Sequence, residues 1–176
     1  MIEAQYWKEY LSRVASELRA RKKPSPITVR RSELIKRDVI IAFFIVRRLI
    51  ELSRVPRRVA NLSVHVPWLP TKKLVTKISY TDINENYDWA SGKIVRLSLL
   101  ELCNLFIHSY TVALVRDTRR NWVEFIVTSD RKRLGGAYLV SVHLLRSLLK
   151  AFAEERVESI HYAWGQNRSD YRVRAE

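Results

Sequence analysis

In a chain of 176 residues, 32 lysines and arginines face 18 acids for a formal net charge of +14, and hydrophobic side chains make up 47%. That length suits one domain with its own core, and a mean hydropathy of −0.19 with only four Gly and five Pro excludes a disordered or low-complexity chain. The longest apolar run, Val39 to Val46, has eight residues, far short of the roughly 20 that cross a bilayer, and the single cysteine, Cys103, excludes an intrachain disulfide.

Residues 1–60 hold 15 of the bases and only 6 of the acids. Such a field favours a polyanion: RNA, DNA, a nucleotide phosphate or an acidic protein partner. No membrane partner is expected. The opening "MIEAQYWKEYLSRV" is amphipathic and carries Glu3 and Glu9 where a leader would be basic and then apolar, so a reducing, cytoplasmic location is the expectation.

In chain order, Trp7, Leu11, Val14 and Leu18 recur at helical spacing and predict an amphipathic N-terminal helix over residues 1–23, stopping at "RARKKPSP". A second helix is expected from Ser32 to Arg54, before Pro56. Asp38, Ala42, Ile45, Val46 and Leu49 share one of its faces, while Arg37, Arg47, Arg48 and Glu51 lie opposite. A carboxylate on an apolar face needs a partner, so Asp38 is either a structural acid, paired with an arginine or capping a backbone N–H, or the acid of a site.

Residues 61–96 contain Pro67, Pro70 and the polar "TDINENYDWASGK", and read as short strands, such as "LSVHV" and "KLVTKISY", among loops. Further on, "TVALVR", a turn at "DTRRN" and "WVEFIVTSD" predict a β-hairpin. After Gly135 and Gly136, the spacing of Val142, Leu145, Leu148, Leu149 and Phe152 predicts a last helix, and residues 157–176 form a tail with room for a strand. The expected fold class is α+β in a single domain: a mainly helical body over residues 32–156, with a small antiparallel hairpin or sheet after the helix that holds His108.

That helix lies in "LSLLELCNLFIHSY". Ser98 and Glu101 form a capping box, which starts the helix at Leu99. On a wheel Leu99, Leu100, Leu102, Cys103, Phe106, Ile107 and Tyr110 fill one arc, and Glu101, Asn104 and His108 a narrow opposite stripe shared with Leu105. Cys103 therefore faces the core. An imidazole titrates near neutrality and needs a hydrogen bond to orient it, so His108, Asn104 and Glu101 are candidate catalytic residues for proton transfer, with the Ser109 hydroxyl nearby. The alternative is that Asn104 and His108 satisfy a loop backbone or a subunit interface. His65, His108, His143 and His161 show no zinc spacing, and there is no Gly-rich phosphate loop or nucleophile elbow, so no metal or cofactor is expected.

With "NYDW" before it and a hairpin ending "TSDRKR" after it, this run resembles a group of small uncharacterised bacterial proteins that share an "L-C-N-x-x-I-H-S" helix. The upstream "KRDVIIAFFIVRRLIELSRVP" resembles that group's "R-D-x-x-x-A-F-x-x-x-R-x-L-I-E" helix, so the likeness covers residues 32–150. More distantly, Asn and His at this spacing are similar to the HEPN (higher eukaryotes and prokaryotes nucleotide-binding) superfamily. Many of its members are metal-independent endoribonucleases of toxin or antiphage defence systems, and commonly dimerise through their motif helices.

The resemblance implies a homodimeric RNA- or nucleotide-binding protein with ribonuclease activity, in which His108 is the general acid/base and Asn104 and Glu101 orient it. The motif's arginine falls on Cys103, so the cation for the phosphate has to come from another element. Arg37, Arg47, Arg48 and Arg131 are the candidate nucleic-acid-binding residues, and Asp38, Ser109 and Asp130 the supporting ones. The alternative is a catalytically inactive module that docks on nucleic acid or on an acidic protein.

Overall fold

The computed structural model describes residues 2–22, 26, 28–76, 78–79, 82–131, 135–157, 160–164 and 171–175. Helix α1 (Ile2–Glu17) buries Leu11, Val14 and Ala15 on one side, as its periodicity predicts. It stops six residues before the expected boundary at residue 23. Helix α2 (Val29–Glu51) starts where the Thr28 side chain accepts a hydrogen bond from Arg31 N at 3.2 Å, and it buries Ile35, Asp38, Val39, Ala42, Phe43, Ile45, Val46 and Leu49. A short helix, α3 (Arg57–Ala60), leads into strand β1 (Ser63–Pro70).

After a loop with one helical turn, α4 (Ile83–Asn86), come strand β2 (Lys93–Ser98) and helix α5 (Leu99–Ile107). Strands β3 (Ser109–Arg116), β4 (Trp122–Ser129) and β5 (Gly136–Ser141) form a meander, followed by helix α6 (Val142–Glu154). Strands β6 (Ile160–Trp164) and β7 (Tyr171–Ala175) pair with each other as a separate two-stranded ribbon.

The expectation of a mainly helical, HEPN-like body carrying a small hairpin is overturned. The first five strands form one antiparallel sheet in the order β2-β1-β5-β4-β3, and two of them precede the helix that holds Asn104. The class α+β holds, but the sheet is the frame and the helices cover it. Strands β2 and β5 escape sequence reading, and β1 is read only over its first half, as "LSVHV". β5 is buried on both faces, so it lacks the period-two alternation of a half-exposed strand. β1 contains Pro67 and Pro70, residues that normally argue against an interior strand.

The register explains how β1 tolerates them. Pro67 pairs only with Ile94 of β2, because the pairing with β5 begins at Trp68, so its missing N–H deprives no second neighbour. Pro70 sits at the strand's end opposite Gly136, where a Cβ would come within 2.2 Å of the Leu69 carbonyl oxygen, so only glycine fits this close approach. The expected strand "KLVTKISY" does not form. Its described residues 73–76, 78 and 79 lie in a loop, and Val75 is buried.

Helices α1, α2, α5 and α6 cover one face of the sheet and share a single core that runs in sequence from Leu11 to Phe152. A smaller apolar cluster on the other face joins Leu69, Ile126, Ala137 and Leu139 of the sheet to Val75 and Tyr87 of the β1–β2 connection. Because β2 and β3 are opposite edges of the sheet, α5 crosses the whole face between them. Phe106 of α5 stacks on Phe43 of α2 with ring centroids 4.4 Å apart, and meets Phe125 of β4 edge-on at 5.9 Å. No helix among the described residues is long and apolar enough to cross a membrane.

Candidate functional site

The capping box predicted at Ser98 is present. The Ser98 hydroxyl accepts from Glu101 N, and Glu101 Oε2 accepts from Ser98 N and Oγ at 2.8 Å each. Glu101 is thus engaged at the helix start, about two helical turns before the histidine it was expected to orient. His108 is the C-cap residue of α5, with its backbone N–H donating to Asn104 O at 3.0 Å. Ser109 and Tyr110 belong to β3, so the expected helical stripe ends at His108. Leu105 is buried and Leu100 is 43% exposed, which turns the helix slightly from the predicted wheel, while Cys103 is fully buried on the core side as expected.

The stacking of Phe43 on Phe106 fixes how far α2 lies from α5. Arg47 follows Phe43 by one helical turn and shares its side of the helix. Its Nη1 donates to Asn104 Oδ1 at 2.6 Å, and its Nε donates to Glu51 Oε1 at 2.8 Å. Arg48 reaches the other oxygen of Glu51 at 3.2 Å. The hydrogen bond from Arg47, ahead of that from Arg48, holds the Glu51 carboxyl below its ordinary range.

A third element closes the site. Ser109 pairs with Ser129, and one residue further Asp130 N donates to His108 O at 3.3 Å, which ties the turn after β4 to the end of α5. Asp130 and Arg131 are thereby placed beside His108. The result is a cavity of about 500 Å³ lined by Arg47, Glu101, Asn104, Leu105, His108, Ser129, Asp130 and Arg131. Its size is that of a small-ligand pocket, and its lining combines two arginines, a histidine and an asparagine with the acids Glu101 and Asp130.

Four expected site residues do not line it: Arg48, which is paired with Glu51 beside Arg47, and Arg37, Asp38 and Ser109. Asp38 is 6% exposed and accepts from Arg37 Nη2 and Nε at 2.7 and 2.9 Å, and from the Tyr10 hydroxyl at 3.3 Å, so it joins α2 to α1 as a buried acid with an arginine partner. Burial, and then the charge of Asp38, push the Tyr10 hydroxyl up. Arg37 and Ser109 line a different groove, between α2 and β3. Ser129 and Leu105 were not foreseen as lining residues. Counting the hairpin register outward from "DTRRN" places Ser129 opposite Ser109 and would have found the first of them.

Among the described residues no three His, Cys, Asp or Glu side chains group as metal ligands. No protein-family model matches the sequence, and no curated protein or solved structure matches it either. The geometry of the α2–α5–β4 cavity is therefore what the functional reading rests on.

Proposed function

We propose that the protein binds RNA or a nucleotide through this cavity, with Arg47 and Arg131 on phosphate oxygens and Asn104 and His108 beside the ribose. The observation that carries the reading is the 2.6 Å bond from Arg47 Nη1 to Asn104 Oδ1. It brings a guanidinium from α2 to the helix face where Cys103 leaves none. A guanidinium has five N–H donors, and the bonds to Glu51 and Asn104 engage two, so the same group can grip an oxyanion while its position stays fixed.

A second reading, metal-independent cleavage of RNA, is favoured by His108 lining the same cavity as both arginines. In that reaction His108 takes the proton of a 2′-hydroxyl as its oxygen attacks phosphorus. The bond to the 5′-oxygen breaks, water protonates that oxygen, and the arginines hold the non-bridging oxygens.

Fluorescence anisotropy with a labelled single-stranded RNA, and a single-turnover cleavage assay with chelator present, test the two readings. Loss of a charge-assisted bond is worth about 1.5–3 kcal/mol, so Arg47→Ala should weaken RNA binding by roughly 10- to 100-fold. His108→Ala should abolish cleavage and leave affinity within about twofold of the parent. Equal affinity of parent and Arg47→Ala ends the cavity reading. A parent that cleaves nothing ends the enzymatic one and leaves the binding module.

A further inference from the structure

We propose that a second anion site, sharing no residue with the α2–α5–β4 cavity, lies where the end of α1, the first turn of α2 and the β3–β4 turn meet, and that it holds a phosphate of a nucleic-acid backbone. Five arginines converge there: Arg19 and Arg21 just past α1, Arg31 near the start of α2, Arg116 ending β3, and Arg120 in the turn. Glu17 is the acid that lines the same place. Among the described residues, none of the five arginines forms an ion pair.

The site is fastened together from distant parts of the chain. Asn121 Oδ1 accepts from Arg21 N at 2.9 Å, and Asn121 Nδ2 donates to Arg21 O at 3.3 Å, which ties the stretch after α1 to the β3–β4 hairpin at two points. Arg116 is held as well, with its guanidinium carbon 4.1 Å from the centroid of the Trp122 ring. Its Nε is buried and has no hydrogen-bond partner among the described residues, so one of its donors is left for a ligand oxygen.

The end of α2 adds to the imbalance. A helix start favours acids because it is the positive end of the macrodipole, yet the first turn of α2 contains no acid and carries Arg30 and Arg31. Repulsion among these groups opposes the folded state until an anion neutralises them.

The depression between the arginines has a volume of only about 20 Å³, too small to enclose a base or a sugar, and it suits one oxyanion resting on the surface. Arginine's planar fork matches a phosphate, and the chain uses 22 arginines against 10 lysines. One carboxylate would answer only one of the five cations. The closely spaced charges of a phosphodiester chain answer several at once.

Arg19→Ser combined with Arg120→Asn tests the site in the full chain. Asn suits position 120, where φ is 65°. Titrating a labelled single-stranded RNA at several salt concentrations, the pair should bind about tenfold more weakly at low salt, and the slope of log K against log salt should become shallower by about 1.4, the share of two phosphate contacts at 0.7 each. Arg19→Lys combined with Arg120→Lys, which keeps both charges, should retain most of the parent's affinity and salt slope.

Affinity and salt slope equal to the parent's overturn the proposal, whatever the cavity at Arg47 does. Binding that falls in this pair but is untouched in Arg47→Ala supports it and sinks the cavity reading instead. A polyglutamate peptide that displaces the RNA as well as unlabelled RNA does, at equal charge concentration, reassigns the arginines to an acidic protein and overturns the nucleic-acid claim.

Discussion

Cys103 is fully buried between α5 and the core, and burial pushes its thiol from 9.0 up to about 12, with the nearby Arg47 charge pulling the other way. The thiolate thus forms more readily in the unfolded chain. Its contribution to stability is complete below pH 9 and is lost as pH rises toward 12, by up to about 1.4 kcal/mol per pH unit. Urea unfolding between pH 8 and 10.5 should show a shallower loss of stability in Cys103→Ala than in the parent, and parallel slopes would contradict it. The orientation of Cys103 was legible from the helix wheel alone. The partnership of Arg47 with Asn104 was not, because those residues are 57 apart in sequence and meet only through the packing of Phe43 on Phe106.

At the scale of an element, α5 is nine residues long, and so short a helix has marginal intrinsic stability. Its capping box therefore matters more than it would in α2. Ser98→Ala removes the acceptor for Glu101 N and releases the Glu101 side chain, and should lower the unfolding free energy by about 1 kcal/mol in a chemical denaturation experiment. A change below a few tenths would mean that packing against α2 sets the start of the helix. This cap was readable because it is a local pattern of four residues. Neither β2 nor β5 was, since β2 runs straight into the cap residue, and β5 follows a Gly-Gly pair and shows no alternation.

Across the whole molecule, the sheet has two very different kinds of strand. β4 and β5 are buried through most of their length, whereas edge strand β2 exposes Lys93, Ile94, Arg96 and Ser98. Amide hydrogen exchange should be slowest at Phe125–Thr128 and Ala137–Val140, where release needs global opening, and faster by orders of magnitude along the outer side of β2. Comparable protection in β2 and β5 would show that something else covers that edge. The mixture of helices and antiparallel strands and most helices were legible from periodicity, but the size of the sheet and its strand order were not, because they rest on the pairing of β1 with β5, nearly 70 residues apart.

That pairing also governs how the protein comes into being. A chain made from its N-terminus can form the β1–β2 hairpin early, but the other side of Trp68–Pro70 has no strand to meet until Gly136–Tyr138 has been synthesised. During that interval β1 presents open backbone groups and the apolar side chains Val64 and Val66, so the growing chain passes through a stage in which self-association competes with completion of the sheet.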